Sequence, residues 1–168
     1  MNKKILLFAI FTLAIDQISK VLVSLFLQLN ISIQVIPNFF YLTLCHNEGA
    51  AWGIFSNHSF VILFGTIVAI FLIYHFIYCF KSNLRNNVAF GLLCGGLAGN
   101  LIDRIVSGYV IDFLDFYLFR YDYPVFNVAD IAIVIGIFLL TYAVIKGEDV
   151  NETNRGKGKR KARQVSSK

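Results

Sequence analysis

Asp112 and Asp130 are the residues of this chain best suited to bond-breaking chemistry. The first sits in an apolar VIDF setting and the second in FNVAD, eighteen positions further on. Two carboxyl groups brought together in a partly apolar site cannot both ionise. They then share a proton, so that one acts as base toward a water and the other as acid toward a carbonyl. That is the chemistry of aspartic proteases. Asn127 precedes Asp130 by three residues, the spacing of a helix N-cap, and capping by itself accounts for that pair. It leaves Asp112 unexplained. The positive end of a helix dipole at Asp130 favours that carboxyl as the ionised member.

The elements that must position these groups are membrane elements. Of the 168 residues 57% are hydrophobic and only 15% charged, with mean hydropathy +0.67. A soluble domain carries about 25% charged residues. Crossing a bilayer takes about 20 apolar residues, and four segments qualify: approximately 5–27, 60–80, 88–106 and 128–145. The first imitates a signal peptide, but no small-x-small cleavage site follows and the apolar run resumes after Lys20, so it reads as a retained span. Lys3, Lys4, Lys81, Arg85 and the tail after Ile145 are basic, whereas 28–59 has no Lys or Arg and 107–127 has only Arg120. The positive-inside rule then places both termini and the 81–87 turn in the cytoplasm, and the two larger loops, 28–59 and 107–127, outside. The expected organisation is one transmembrane domain, 1–146, and a basic tail, 147–168, predicted to be disordered and to lie near anionic headgroups. The KGKRKAR run in that tail is explained by topology, without nucleic acid.

Depth sorts the remaining polar groups. Asp16 and Lys20, four residues apart near the middle of the first span, share a helix face and can pair. Their spacing favours a structural ion pair between helices over catalysis. Lys20 and Ser24 have the spacing of a Ser–Lys nucleophile, but nothing beside them resembles an oxyanion arrangement. On the third span Asn100 and Arg104 share a face, with Asp103 to one side and GGLAG before them for close helix packing. Each charge at mid-membrane costs about 2.5–3.5 kcal/mol, so Asp16, Lys20, Asp103 and Arg104 should face one another or a wet cavity. The guanidinium of Arg104 suits a carboxylate, a phosphate or a peptide carbonyl.

The outer loops have their own pattern. Alternating apolar residues between Leu29 and Phe40, a Pro37-Asn38 turn and then FFYLTL predict a small sheet or half-barrel. HNEGAAWG follows, with Gly49, Ala50, Ala51 and Gly53 allowing close backbone approach near Asn47. The second outer loop, rich in aromatics, suits an interfacial belt. No HExxH or phosphate-binding loop is present, His46, His58 and His75 lack ligand spacing, and Cys45, Cys79 and Cys94 lie far apart without CxxC. No metal or other cofactor is expected.

Taken together, GNLIDR, VIDF and FNVAD, with DQISK in the first span and HNEGAAWG in the first outer loop, resemble the lipoprotein signal peptidase (signal peptidase II) family. The resemblance covers nearly everything from Asp16 to Gly136. It implies a four-helix aspartic peptidase of the bacterial cytoplasmic membrane, with a small extracytoplasmic sheet, that removes signal peptides from prolipoproteins before a diacylglyceryl-modified cysteine. By position Asp112 and Asp130 correspond to the catalytic pair. Asn47, Gly49, Asn100, Arg104 and Asn127 correspond to residues that hold the substrate, and Asp16, Lys20 and Asp103 to supporting groups. The resemblance also implies inhibition by the cyclic peptide globomycin and contact with membrane lipids. Trp52 departs from the phenylalanine common in the family loop. The rival reading from another class is a small proton-coupled transporter or ion-conducting membrane protein, with Asp16, Asp103 and Arg104 along a proton path; the clustering of carboxylates at one interface speaks against it.

Overall fold

A computed structural model describes residues 2–49, 59–118 and 121–148. In chain order it comprises α1 (Lys3–Phe26), β1 (Ser32–Ile36), β2 (Phe40–Asn47), α2 (Ser59–Phe76, continued by a 3-10 turn, Ile77–Cys79), α3 (Leu84–Ser107), β3 (Val110–Leu118), β4 (Tyr121–Asp122) and α4 (Val128–Ile145). Trp52, His58, Arg120 and the basic cluster of the tail lie outside the described residues. All four helices are long and apolar enough to cross a membrane. Their outward faces carry exposed Leu7, Phe11, Phe64, Phe71 and Phe138, as expected where the surrounding solvent is hydrocarbon.

α3 is the central helix. Its mean hydropathy is 1.3, against 2.5 for α4, yet half of its most apolar window is buried. Asn83 caps its start by accepting from the Asn86 N–H at 2.8 Å, and Gly108, at φ 84, ends it in the left-handed conformation that glycine adopts without strain. Between these ends GGLAG does what its composition suggests. A Cβ on Gly95 would fall 2.6 Å from the Ala9 carbonyl oxygen of α1, and one on Gly96 would fall 2.6 Å from the Ala129 carbonyl oxygen of α4. The two flanking helices therefore meet α3 at backbone distance. In contrast, none of residues 62–79 along α2 is buried.

The sheet is antiparallel in the order β1-β2-β3-β4. β1 and β2 form the expected hairpin, turning at Pro37-Asn38 with Asn38 at φ 57. β3 departs from expectation: residues 110–118 lie in the segment read as an aromatic outer loop, and they form the longest strand. β2 supplies the ladder, with Phe40 opposite Phe116, Cys45 opposite Asp112 and Asn47 opposite Val110. The aromatics are used across the sheet, Phe40 stacking on Phe116 at 4.6 Å and Phe116 on Phe126 at 5.7 Å between ring centroids. Aromatic and β-branched residues favour this pleated packing, but only the β2 edge, brought from the other loop, made a strand of them.

The sheet sits at the end of the bundle where α1 and α3 finish and α4 begins. At the opposite end Glu148, just past α4, accepts from Arg85, from Asn83 at 2.8 Å and from Asn86 at 3.2 Å. The Arg85 guanidinium holds the Glu148 carboxyl at about 2, well below the usual range.

Candidate active site

Asp112 reaches the site from β3 and Asp130 from the first turn of α4. Asn127 connects them. As the cap of α4 its Oδ1 accepts from the Asp130 N–H at 3.0 Å, and Asp130 Oδ2 accepts from the Asn127 N–H at 3.2 Å, a reciprocal capping box. The same side chain donates through Nδ2 to Asp112 Oδ1 at 2.7 Å. Capping and site formation are thus one arrangement. Two more amides complete the frame: Asn100 Nδ2 donates to Asp130 Oδ1 at 2.8 Å, and Asn47 Nδ2 donates to Asp112 Oδ2 at 2.8 Å.

Asp112 is 2% exposed. Burial, chiefly, pushes its carboxyl up to about 7, and the charge of Asp130 adds to the rise; donors from Asn47 and Asn127 and the Lys20 ammonium oppose it. A carboxyl with that value is poised to give or take a proton near neutral pH.

A deeper layer orients the amides. Lys20, 1% exposed, donates to Asp16 Oδ2 at 2.8 Å, Asp103 Oδ2 at 2.8 Å and Asn100 Oδ1 at 3.0 Å. The ammonium must face the Asn100 oxygen, which leaves the Asn100 nitrogen turned toward Asp130. Asp16 Oδ1 accepts from the Ala129 N–H at 2.8 Å, tying α1 to the start of α4. With its three hydrogens so engaged, Lys20 is no base for Ser24. Arg104 behaves differently from the other three membrane charges: it donates to backbone carbonyls, Asn100 O at 3.2 Å and Gly49 O at 3.3 Å. Gly49 in turn donates its N–H to Asn47 Oδ1 at 2.9 Å.

These groups border a cavity of about 280 Å³, lined by Asn47, Gly49, Asn100, Arg104, Asp112 and Asp130 on one side and by Tyr123 to Phe126 on another. An apolar groove of about 380 Å³ adjoins it, sharing Tyr123, Phe126, Asp130 and Val134, and continuing along Phe116, Ile131 and Ile135. All ten site residues expected from sequence belong to this connected network. Sequence reasoning missed Gln17, which bonds Asp103 at 2.9 Å, and the Tyr123–Phe126 wall. A neutral amide beside Asp16 in DQISK was the only local signal for the former. Among the described residues, no three His, Cys, Asp or Glu group as metal ligands; His46 stacks on Tyr109 and His75 contacts the Phe71 carbonyl.

A carboxyl pair, Asp112 buried and Asp130 half-buried, held by amides at the end of a membrane helix bundle and open to an apolar groove, has the construction of a membrane aspartic hydrolase. The comparisons agree. Residues 8–146 match the signal peptidase (SPase) II family. Lipoprotein signal peptidases of Staphylococcus aureus strains JH9 and Newman are 41% identical over 142 residues, covering 84% of this chain and 87% of theirs. Two solved bacterial membrane enzymes, at 37% and 38% identity, superpose with TM-scores of 0.76 and 0.73 and cover 84% of this chain and 87% and 92% of theirs. The chain belongs to the signal peptidase II family. It is a peptidase of the aspartic type, and the transporter reading finds no support.

Proposed function

We propose that Asp112 and Asp130 are the catalytic pair of a peptidase that removes signal peptides from prolipoproteins, cleaving before the diacylglyceryl-modified cysteine. The observation that carries this is Asn127, which donates to both carboxyls, through its side chain to Asp112 and through its backbone N–H to Asp130. Asp112, with its carboxyl at about 7, holds the shared proton, and Asp130 is the ionised partner at the helix N-terminus. Asp130 takes a proton from a water in the cavity while Asp112 gives its own to the scissile carbonyl oxygen. The new C–O bond makes a tetrahedral centre. Its collapse breaks the C–N bond as the departing nitrogen takes a proton from Asp130, and Asp112 recovers its proton from the hydroxyl.

Asn47, Gly49, Asn100, Arg104 and Asn127 hold the substrate backbone; Asp16, Lys20 and Asp103 keep their amides in place. The substrate's acyl chains remain in lipid, so the cut must fall near the membrane surface. The carboxyls lie at the sheet end of the bundle beside a groove on α4, which suits lateral entry. The distribution of basic residues supports an orientation with this end outside the bacterial cytoplasmic membrane and both termini inside. Residues 1–146 form the peptidase domain, and the basic tail, 147–168, lies against anionic headgroups. Globomycin-type cyclic peptides occupy the same cavity and inhibit.

The test is cleavage of a diacylglyceryl-prolipoprotein by purified enzyme, with and without globomycin. Asp112→Asn and Asp130→Asn should each fold and lose at least 10²–10⁴-fold in rate, roughly the worth of a general acid or base. Normal processing by either variant would overturn the dyad.

A further inference from the structure

Gln17 has no part in the chemistry just described, yet it stands at the base of the network that carries it. Its Nε2 donates to Asp103 Oδ1 at 2.9 Å and lies 3.2 Å from Asp16 Oδ2 and 3.3 Å from the Gly99 carbonyl oxygen. The surrounding cluster holds two carboxylates and one ammonium, Asp16, Asp103 and Lys20, which are 0%, 5% and 1% exposed. It therefore carries an excess negative charge, and its carboxylate oxygens depend on neutral donors. Asp16 Oδ1 has the Ala129 N–H, and Asp103 Oδ2 has the Ile111 N–H at 3.2 Å besides Lys20. For Asp103 Oδ1 the one donor among the described residues is Gln17.

What Asp103 does with its other oxygen matters to the site. The Ile111 N–H that it accepts belongs to the residue before Asp112, and the Ile111 carbonyl accepts from Asn127 Nδ2 at 3.3 Å. Ile111 is thereby gripped from α3 on one side and from the α4 cap on the other. Asp103 also has room to move: a cleft of about 390 Å³ between α1 and α3 is lined by Gln17, Lys20, Asp103 and Ile111.

We propose that Gln17 is a positioning residue for peptide hydrolysis. By holding Asp103 Oδ1 it aims Oδ2 at Lys20 and at the Ile111 N–H, and so sets where β3 presents Asp112. Without that donor Asp103 turns within the cleft, Ile111 is released, and Asp112 shifts against Asp130. This rests on the Asp112–Asp130 pair being catalytic.

Gln17→Leu removes the donor at similar length. In a cleavage assay on a diacylglyceryl-prolipoprotein it should lower kcat roughly 10- to 100-fold, the scale of a small misplacement, while KM stays within about twofold. A swap variant separates positioning from simple loss of packing. Gln17→Glu alone sets a third carboxylate against Asp103 and Asp16, and Asp103→Asn alone sets two amide nitrogens face to face. Combined, they keep the net charge and reverse the bond: the new amide nitrogen donates to the new carboxylate, and its oxygen faces Lys20 and the Ile111 N–H.

The double variant should recover at least tenfold of the kcat lost by the worse single variant. Unchanged kcat in Gln17→Leu, or a double variant no better than the worse single one, overturns the proposal; so does a loss confined to KM. Asp112→Asn run alongside separates the two readings. If that variant cleaves normally the dyad has failed; if it is inactive while Gln17→Leu is normal, only the role of Gln17 has failed.

Discussion

Replacing Asn47 by leucine should move the alkaline limb of the kcat/KM profile to higher pH. Asn47 Nδ2 donates to Asp112 Oδ2 at 2.8 Å, and that bond is the largest influence holding the Asp112 carboxyl down against burial. Catalysis needs one protonated and one ionised carboxyl, so activity falls as pH rises through the Asp112 value of about 7. A hydrogen bond to a charged group is worth about 1.5–3 kcal/mol, and each pKa unit is about 1.36 kcal/mol. Losing the donor should therefore raise the limb by roughly one to two units. Leucine matches asparagine in size and keeps water from taking the vacated position. The Gly49 N–H also loses its acceptor, so KM should rise, but that scales the profile without moving its limb. Initial rates below KM, measured from pH 5 to 9 in uncharged micelles to avoid surface-potential shifts, give the limb directly. A limb that stays in place, or moves to lower pH, would refute the assignment of the proton to Asp112.

Three further outcomes follow from the same geometry. Because the folded Asp112 value of about 7 lies above its unfolded value of about 3.9, its ionised form opposes folding. The penalty is absent below pH 4 and complete above pH 7, so Asp112→Asn should raise Tm at pH 8 by more than at pH 4, with up to about 4 kcal/mol at stake. Lys20→Met leaves Asp16 and Asp103 buried without their shared cation; it should cost about 3–5 kcal/mol, seen as a lowered Tm and poor yield of folded protein. Gly96→Ala puts a methyl 2.6 Å from the Ala129 carbonyl oxygen, so thermal melts should show a loss of about 1–3 kcal/mol, and cleavage should slow as α4 is pushed from α3.

Much of the bundle was legible because its signals are local. Each span announces itself by an apolar run near the thickness of a bilayer, and the observed helices begin and end within a few residues of those runs. The β1–β2 hairpin was legible for the same reason, since alternation and Pro37-Asn38 act within a dozen residues. β3 was not. VIDFLDFYL reads equally as an aromatic interfacial loop until β2, from the other side of two helices, lies beside it.

The site divides along the same line. From residue types, spacing and depth the sequence led to the expectation that Asp112 and Asp130 share one end of the bundle, with Asn100 and Arg104 deeper along α3, and it fixed Asp16 four residues from Lys20. Only the tertiary structure decided how they meet: Asn47 with Asp112 across 65 positions, Lys20 with Asn100 across 80, and Asp16 with the Ala129 N–H across 113. It also decided which way each amide turns, and it brought Gln17 into the network. Spans follow from transfer of local stretches into hydrocarbon, which neighbours along the chain suffice to specify. Hydrogen bonds inside that hydrocarbon have no water to fall back on, so each polar group is fixed by whichever distant partner the packed helices deliver.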